Sequence, residues 1–124
     1  MSSKLRNLIK AFGHALNGWK RGLKERNLKI HLVAAIFVLF ASLLLKISTT
    51  EFIIILILIA LVISAELFNT AIEDVCNTLT ISLKLQYGET TIPRDVAAGA
   101  VLIIASIATL VGLIVFIPKL LTLL

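Results

Sequence analysis

Residues 52–72 read FIIILILIALVISAELFNTAI, an apolar run that ends in regularly spaced polar side chains. Up to residue 65, the only polar side chain in this run is that of Ser64. A helix of about 20 apolar residues is long enough to cross the hydrocarbon core of a bilayer. The stretch therefore predicts a membrane-spanning helix, and because its polar continuation keeps a helical spacing, we place the helix at 52–80.

Two other segments have the same apolar character. Residues 30–47 are apolar as far as residue 45 except for His31 and Ser42, and residues 96–117 carry no charge over 22 positions. Each segment predicts a further membrane-spanning helix. The link at 48–51 is short enough to make the first two spans an antiparallel hairpin.

The composition of the 124-residue chain agrees with three spans. Hydrophobic residues make up 59% and charged residues 15%, whereas a soluble domain is about one quarter charged. We therefore predict an all-α integral membrane protein in which residues 1–124 form one domain. The single cysteine, Cys76, excludes an internal disulfide and a cysteine-based metal site.

Eight of the twelve lysine and arginine residues lie within positions 1–29. A net charge of +5 would suit a nucleic-acid partner, but these charges flank an apolar stripe at helical spacing. The stripe consists of Leu5, Leu8, Ile9, Phe12, Leu16, Trp19 and Leu23. We therefore predict an amphipathic helix at 1–29 on an anionic membrane surface, and no nucleic-acid partner. A transit peptide is the alternative, which the strict stripe and Trp19 disfavour.

The distribution of positive charge also predicts an orientation. The positive-inside rule places the basic N-terminus in the cytoplasm. With three spans, the loop at 80–95, which contains Lys84 and Arg94, is then cytoplasmic as well. Lys46 and Lys119 are left on the outer side. The polar end of the second span therefore faces the cytoplasm.

Four polar residues share one face of the second span, because Glu66, Asn69, Glu73 and Asn77 follow the spacing i, i+3, i+7 and i+11. The line is about 16 Å long, and an ionised side chain at mid-bilayer costs about 2.5 kcal/mol or more. We expect Glu66 about 9 Å below the cytoplasmic interface and Glu73 at the level of the lipid headgroups. An acidic line at this depth predicts a functional site.

Two carboxylates and an asparagine can hold a divalent cation, and one carboxylate can act as a base toward a hydroxyl group. A substrate with a lipid tail would reach these side chains from the membrane. Glu25, between the N-terminal helix and the first span, could supply a third carboxylate or could pair with Arg21 or Lys29. Taken alone, these residues favour the ion pair.

The last span follows a helix-start signal, because Pro93 comes after two threonines and Asp95 suits the positive end of a helix dipole. Arg94 suits this position only if an anion such as phosphate binds there. The alternative is snorkelling of its side chain to the headgroups, which the residues alone favour. Small residues at 97–100 allow close helix packing, either within one chain or between subunits.

The segments ELFNTAIE at 66–73 and RDVAAGAV at 94–101 resemble the signature of the small prokaryotic diacylglycerol kinase family, which includes undecaprenol kinases. The similarity extends from about residue 8 to residue 119. Three shorter segments resemble the undecaprenol kinase branch in particular, namely ERN at 25–27, IH at 30–31 and FIPK at 116–119.

The resemblance implies a kinase that moves the γ-phosphate of MgATP to the primary hydroxyl of a membrane lipid alcohol. The expected acceptor is undecaprenol, and diacylglycerol is the alternative. The resemblance also implies a homotrimer in the bacterial cytoplasmic membrane, with a surface helix and three spans in each subunit. Its active sites would be shared between subunits and would lie at the cytoplasmic face.

The resemblance further implies roles for individual residues. Glu66 would be the general base that takes the hydroxyl proton, and Asn69 would position the reacting groups. Glu25 and Glu73 would bind magnesium. Catalysis would then consist mainly of in-line positioning and neutralisation of charge on the transferring group.

Arg94, Asp95 and Asn77 would bind the nucleotide, with Arg94 reaching the phosphates. Two of these positions depart from the family pattern, because Asn77 stands where Asp is usual and Arg94 stands where Lys is usual. The first change removes a negative charge, whereas the second keeps a positive charge and adds a forked set of donors. The loop at 82–92 also lacks the histidine-containing segment that is usual there.

Two other classes of function fit an intramembrane carboxylate. One is a small proton-coupled transporter with Glu66 as its exchangeable acid, and the other is a non-catalytic membrane adaptor. A transporter needs its acid near the bilayer centre, with access from both faces. Because Glu66, Glu73, Glu25 and Arg94 all lie toward one face, the topology favours the kinase.

Overall fold

The computed structural model describes residues 2–123. The described chain is all-helical and contains no strand. Its elements are α1 (Ser3–Gly22), α2 (Arg26–Leu44), α3 (Thr49–Leu83), a short 3₁₀ helix (Tyr87–Thr90) and α4 (Thr91–Leu121). Within this part of the chain, α2, α3 and α4 with its preceding 3₁₀ turn are long and apolar enough to cross a membrane. An all-α chain with an N-terminal helix and three candidate spans is therefore confirmed.

The chain turns between α1 and α2 at a position that the charge pattern does not mark. The predicted surface helix extends to residue 29, whereas α1 ends at Gly22 and α2 begins at Arg26. The helix stops because the amides of Lys24 and Glu25 bond back to carbonyls of its last turn, and Glu25 then adopts an extended backbone. Residues 26–29 consequently belong to the helix of the first span.

The hairpin between α2 and α3 is closed by local hydrogen bonds. The Glu51 amide donates to Ser48 Oγ at 3.3 Å, and the Ser48 amide donates to Glu51 Oε2 at 2.7 Å. This capping box satisfies free amides at the helix N-terminus, so α3 begins at Thr49, ahead of the predicted residue 52. At its other end, α3 continues to Leu83 and stops at Lys84, which has a left-handed backbone.

Helices α3 and α4 form the most extensive packing in the subunit, and α2 and α1 pack against α3. Little of the apolar surface is enclosed, because large side chains such as Phe37 on α2, Phe68 on α3 and Leu102 on α4 are exposed. The apolar stripe of α1, including Phe12 and Leu16, is exposed as well. These surfaces suit contact with lipid or with another subunit.

The end of α1 is fixed against α3 by a close approach at Gly22. Gly22 is buried, and a Cβ atom added there would overlap the Leu67 side chain and lie 3.0 Å from Leu28 Cδ2. Leu28 is fully buried next to this contact. A larger residue at this position would force the Leu67 side chain to move, so glycine lets α1 rest on α3 where it does.

We expect Gly22→Val to destabilise the packing of α1 on α3 by about 1–3 kcal/mol, because the added side chain overfills a closed contact. The matched control is Gly13→Val, since a Cβ at Gly13 meets no atom within 4 Å. Thermal unfolding in detergent should give a lower midpoint for Gly22→Val than for Gly13→Val. Equal midpoints would contradict the proposed packing role of Gly22.

Candidate active site

The polar line on α3 changes from buried to exposed along the helix. Glu66 and Asn69 are 3% and 6% exposed, Glu73 is partly buried, and Asn77 is exposed. The two buried members lie where α2 and α4 cover α3, as their contribution to a shared cavity shows. The site therefore opens toward the end of α3 that precedes the 3₁₀ helix.

Glu66 meets a polar partner from α2. Nε2 of His31 lies 3.2 Å from Glu66 Oε1, and the two side chains are 26% and 4% exposed. Glu73 instead contacts Asn69, and Glu25 contacts Arg21. The three acids therefore make different direct contacts.

Asn69 has one satisfied and one unsatisfied polar atom. Its Nδ2 atom donates to Glu73 Oε1 at 3.0 Å, whereas its buried Oδ1 atom has no hydrogen-bond partner. An unpaired buried acceptor costs about 1–3 kcal/mol, so it calls for an explanation. A bound hydrogen-bond donor or a bound metal ion would satisfy this oxygen atom.

Two cavities meet at His31. The polar cavity has a volume of about 230 Å³ and is lined by Asn27, His31, Glu66, Asn69, Ala98, Val101, Leu102 and Ala105. The apolar cavity has a volume of about 290 Å³ and extends between α2, α3 and α4 from His31 to Gly112. The Glu66 carboxylate therefore lies in a polar cavity that adjoins an apolar one.

Arg21 connects the end of α1 to α3. Its guanidinium donates to Asp74 Oδ1 at 2.6 Å and to Glu25 Oε1 at 2.5 Å. These bonds, with Asp74 contributing most, raise the pKa of the Arg21 side chain above its usual value, so it stays charged at any physiological pH. The ion pair of Glu25 with Arg21, which the residues alone favour, is therefore present.

Arg94 is held between α3 and the 3₁₀ turn and does not extend freely toward the headgroups. It donates to Asn77 Oδ1 at 2.9 Å and to Thr90 Oγ1 at 3.3 Å, and its guanidinium carbon lies 4.9 Å from the centre of the Tyr87 ring. The structure thus brings Arg94 and Asn77 together.

Asp95 is exposed, and within residues 2–123 it forms no hydrogen bond or ion pair through its side chain. Because α4 begins at Thr91, Asp95 lies beyond the first turn of the helix. The predicted interaction of Asp95 with the positive end of the helix dipole is therefore wrong.

The candidate magnesium ligands do not form a ready-made cage. Within the described chain, no three histidine, cysteine, aspartate or glutamate side chains gather closely enough to hold a metal ion. Glu73 is bonded to Asn69, and Glu25 is bonded to Arg21. The chain therefore offers two separate carboxylates, each with its own partner.

Sequence reasoning missed three partners of the site, His31, Asp74 and Tyr87. A signal for His31 was available, because it lies about 8 Å from the start of α2, close to the expected depth of Glu66 on the antiparallel α3. No comparable signal marks the contact of Asp74 with Arg21, which depends on how α1 packs against α3.

Comparisons with known proteins identify the family of the chain. The family model described as prokaryotic diacylglycerol kinase matches residues 13–116. The chain is 38% identical over 119 residues to an undecaprenol kinase of Bacillus subtilis, covering 95% of this chain and 94% of that protein. It is 34% identical over 119 residues to a diacylglycerol kinase of Synechocystis sp., covering 94% of this chain and 66% of that protein. No solved structure matches significantly. The chain therefore belongs to the prokaryotic diacylglycerol kinase family and is a membrane lipid kinase.

Proposed function

We propose that this lipid kinase transfers the γ-phosphate of ATP to the primary hydroxyl of undecaprenol. The observation that carries the proposal is the buried Glu66 carboxylate, which lines a polar cavity that adjoins an apolar one. A lipid alcohol has these two parts, a hydroxyl head and a hydrocarbon tail. A transporter or an adaptor gains no support from the family to which the chain belongs.

Undecaprenol is preferred to diacylglycerol because of the relatives. The B. subtilis undecaprenol kinase matches along almost its whole length, whereas the match to the Synechocystis protein covers 66% of that protein. Diacylglycerol remains the second candidate, since the latter relative is a diacylglycerol kinase. Both alcohols present a primary hydroxyl, so the same chemistry serves either.

In the proposed reaction, Glu66 acts as the general base. A substrate hydroxyl in the polar cavity lies within reach of the carboxylate, which accepts the proton as the hydroxyl oxygen attacks the γ-phosphorus. Burial excludes water, so the carboxylate meets the alcohol in place of a competing water molecule. Asn69 supports this step as a positioning group, because its Nδ2 atom holds Glu73 Oε1 and its unpaired Oδ1 atom can accept a hydrogen bond from a water molecule bound beside the reacting groups.

Two carboxylates are sufficient for the magnesium ion that kinases use. Magnesium is usually held by one or two protein carboxylates together with substrate phosphates and water, so it needs no cage of three acids. Glu73 and Glu25 fit this role, because Asn69 and Arg21 each occupy a single oxygen of the respective carboxylate. When bound there, the ion would neutralise negative charge on the transferring phosphoryl group.

The nucleotide is proposed to bind at the cytoplasmic end of α3 and α4. Arg94 offers a guanidinium that can contact phosphate oxygens in two places, and Asn77 already fixes its direction. Asp95 is one residue further along α4 and is exposed to an incoming nucleotide. We therefore propose that Asp95 also contacts the nucleotide.

The protein is further proposed to work as a homotrimer in the bacterial cytoplasmic membrane, with its site at the cytoplasmic face. The basic α1 and the loop before α4 support this orientation. The open apolar faces of α2, α3 and α4 and the small residues at 97–100 support association with further copies. A second subunit would then complete the surroundings of Glu25 and Glu73.

We expect Glu66→Gln to reduce phosphate transfer by at least about a hundredfold, because the amide cannot accept the hydroxyl proton. The measurement is transfer from labelled ATP to the lipid alcohol by purified, folded protein with magnesium. Glu51→Gln, on the opposite end of the same helix, is the matched control and should keep its activity. Transfer near the wild-type rate by Glu66→Gln would remove Glu66 from the proposed role.

We expect Glu73→Gln to raise the magnesium concentration needed for half-maximal transfer, because it removes one anionic ligand. Magnesium titrations at saturating ATP and lipid measure this change. Glu89→Gln, in the loop before α4, should titrate like the wild type. If the Glu73→Gln curve coincides with that of the wild type, Glu73 is not a ligand of the metal.

We expect undecaprenol to be phosphorylated with a higher kcat/KM than diacylglycerol. The two acceptors can be compared side by side in the same detergent micelles, with the same enzyme and nucleotide. The reverse order would replace undecaprenol by diacylglycerol in the proposal and leave the reaction class unchanged.

A further inference from the structure

The Glu66 carboxylate has two oxygens in different surroundings. Its Oε1 atom lies 3.2 Å from Nε2 of His31. Within residues 2–123, Oε2 takes part in no ion pair and no side-chain hydrogen bond. One oxygen is therefore engaged and the other is free.

His31 is well placed to fix the engaged oxygen. It lies on the packed face of α2, between the fully buried Leu28 three residues before it and the buried Ala35 four residues after it. It also lines both the polar and the apolar cavity. The imidazole is therefore held by its helix at the point where a lipid alcohol would bring its hydroxyl.

We propose that His31 is a positioning residue that orients the general base, an inference that rests on the proposed role of Glu66. By donating from Nε2 to Oε1, it holds the carboxylate so that Oε2 faces the substrate hydroxyl. Both the neutral tautomer with hydrogen on Nε2 and the imidazolium donate from this atom, so the role does not depend on the charge of His31.

Phosphate transfer proceeds without any change in the protonation of His31. The O–H bond of the lipid alcohol breaks, and its proton passes to Glu66 Oε2. The alcohol oxygen forms a bond to the γ-phosphorus of ATP, and the bond between that phosphorus and the bridging oxygen breaks, so that ADP leaves with the electron pair. The hydrogen on His31 Nε2 stays in place throughout.

The test compares two substitutions of His31. We expect His31→Leu to reduce kcat by about tenfold or more, the scale on which orienting partners contribute, and to leave the KM for MgATP unchanged. His31→Gln should restore most of the loss, because its amide donor reaches nearly as far as Nε2. His14→Leu changes the other histidine of the chain, which is exposed on α1, and is the matched control.

A double substitution separates positioning from a general structural role. In a Glu66→Gln background, where there is no base to orient, we expect His31→Leu to cause no further loss of transfer. If His31→Leu does not yield folded protein, His31→Asn takes its place with the same expectation, because the shorter amide does not reach Oε1.

The outcomes distinguish this inference from the function on which it rests. Wild-type kcat in His31→Leu, an equal loss in His31→Gln, or the same fold loss in the Glu66→Gln background would each overturn the role of His31. Full activity of Glu66→Gln itself would instead overturn the role of Glu66, whatever the His31 variants do.

Discussion

A carboxylate within a membrane-spanning helix is the constraint on which the rest of the structure depends. An ionised group at that depth costs about 2.5 kcal/mol or more unless other groups meet it. Around Glu66, α2 supplies His31, and α4 supplies small residues such as Ala98 and Ala105 that leave room for a cavity. The three helices therefore enclose a polar space that the lipid itself would not stabilise.

The arrangement at the end of α3 that precedes the 3₁₀ helix extends this polar space toward water. Arg21 ties α1 to α3 through Asp74 and also binds Glu25, while Gly22 lets the two helices touch. Arg94, on the other side, is held by Asn77 and Tyr87. In the proposed function, these two arginine-centred contacts frame the entry of a metal-bound nucleotide, and the apolar cavity receives the lipid tail.

Local patterns in the sequence predicted the features that belong to a single helix. The length of the apolar runs gave three spans, and the spacing of Glu66 to Glu73 placed the acids on one face. Contacts between helices could not be predicted from one helix alone: the pair Arg21–Asp74 depends on how α1 packs on α3, and the pair His31–Glu66 is found only by comparing depths on the two helices of the hairpin. The turn after Gly22 was also missed, since backbone hydrogen bonds end α1 there and no proline follows.

The proposed function requires Glu25 and Glu73 to meet a metal-bound nucleotide beside Glu66, at the end of α3 that precedes the 3₁₀ helix. Iron-mediated cleavage tests this requirement, with Fe²⁺ in place of magnesium, a non-hydrolysable ATP analogue, added ascorbate and hydrogen peroxide, and the full chain in a membrane. Hydroxyl radicals, which form when Fe²⁺ reduces the peroxide, cut the nearest backbone. We expect nucleotide-dependent cuts near residues 25 and 73. Cuts confined to the opposite end, near residues 46–51 and 119, would contradict it.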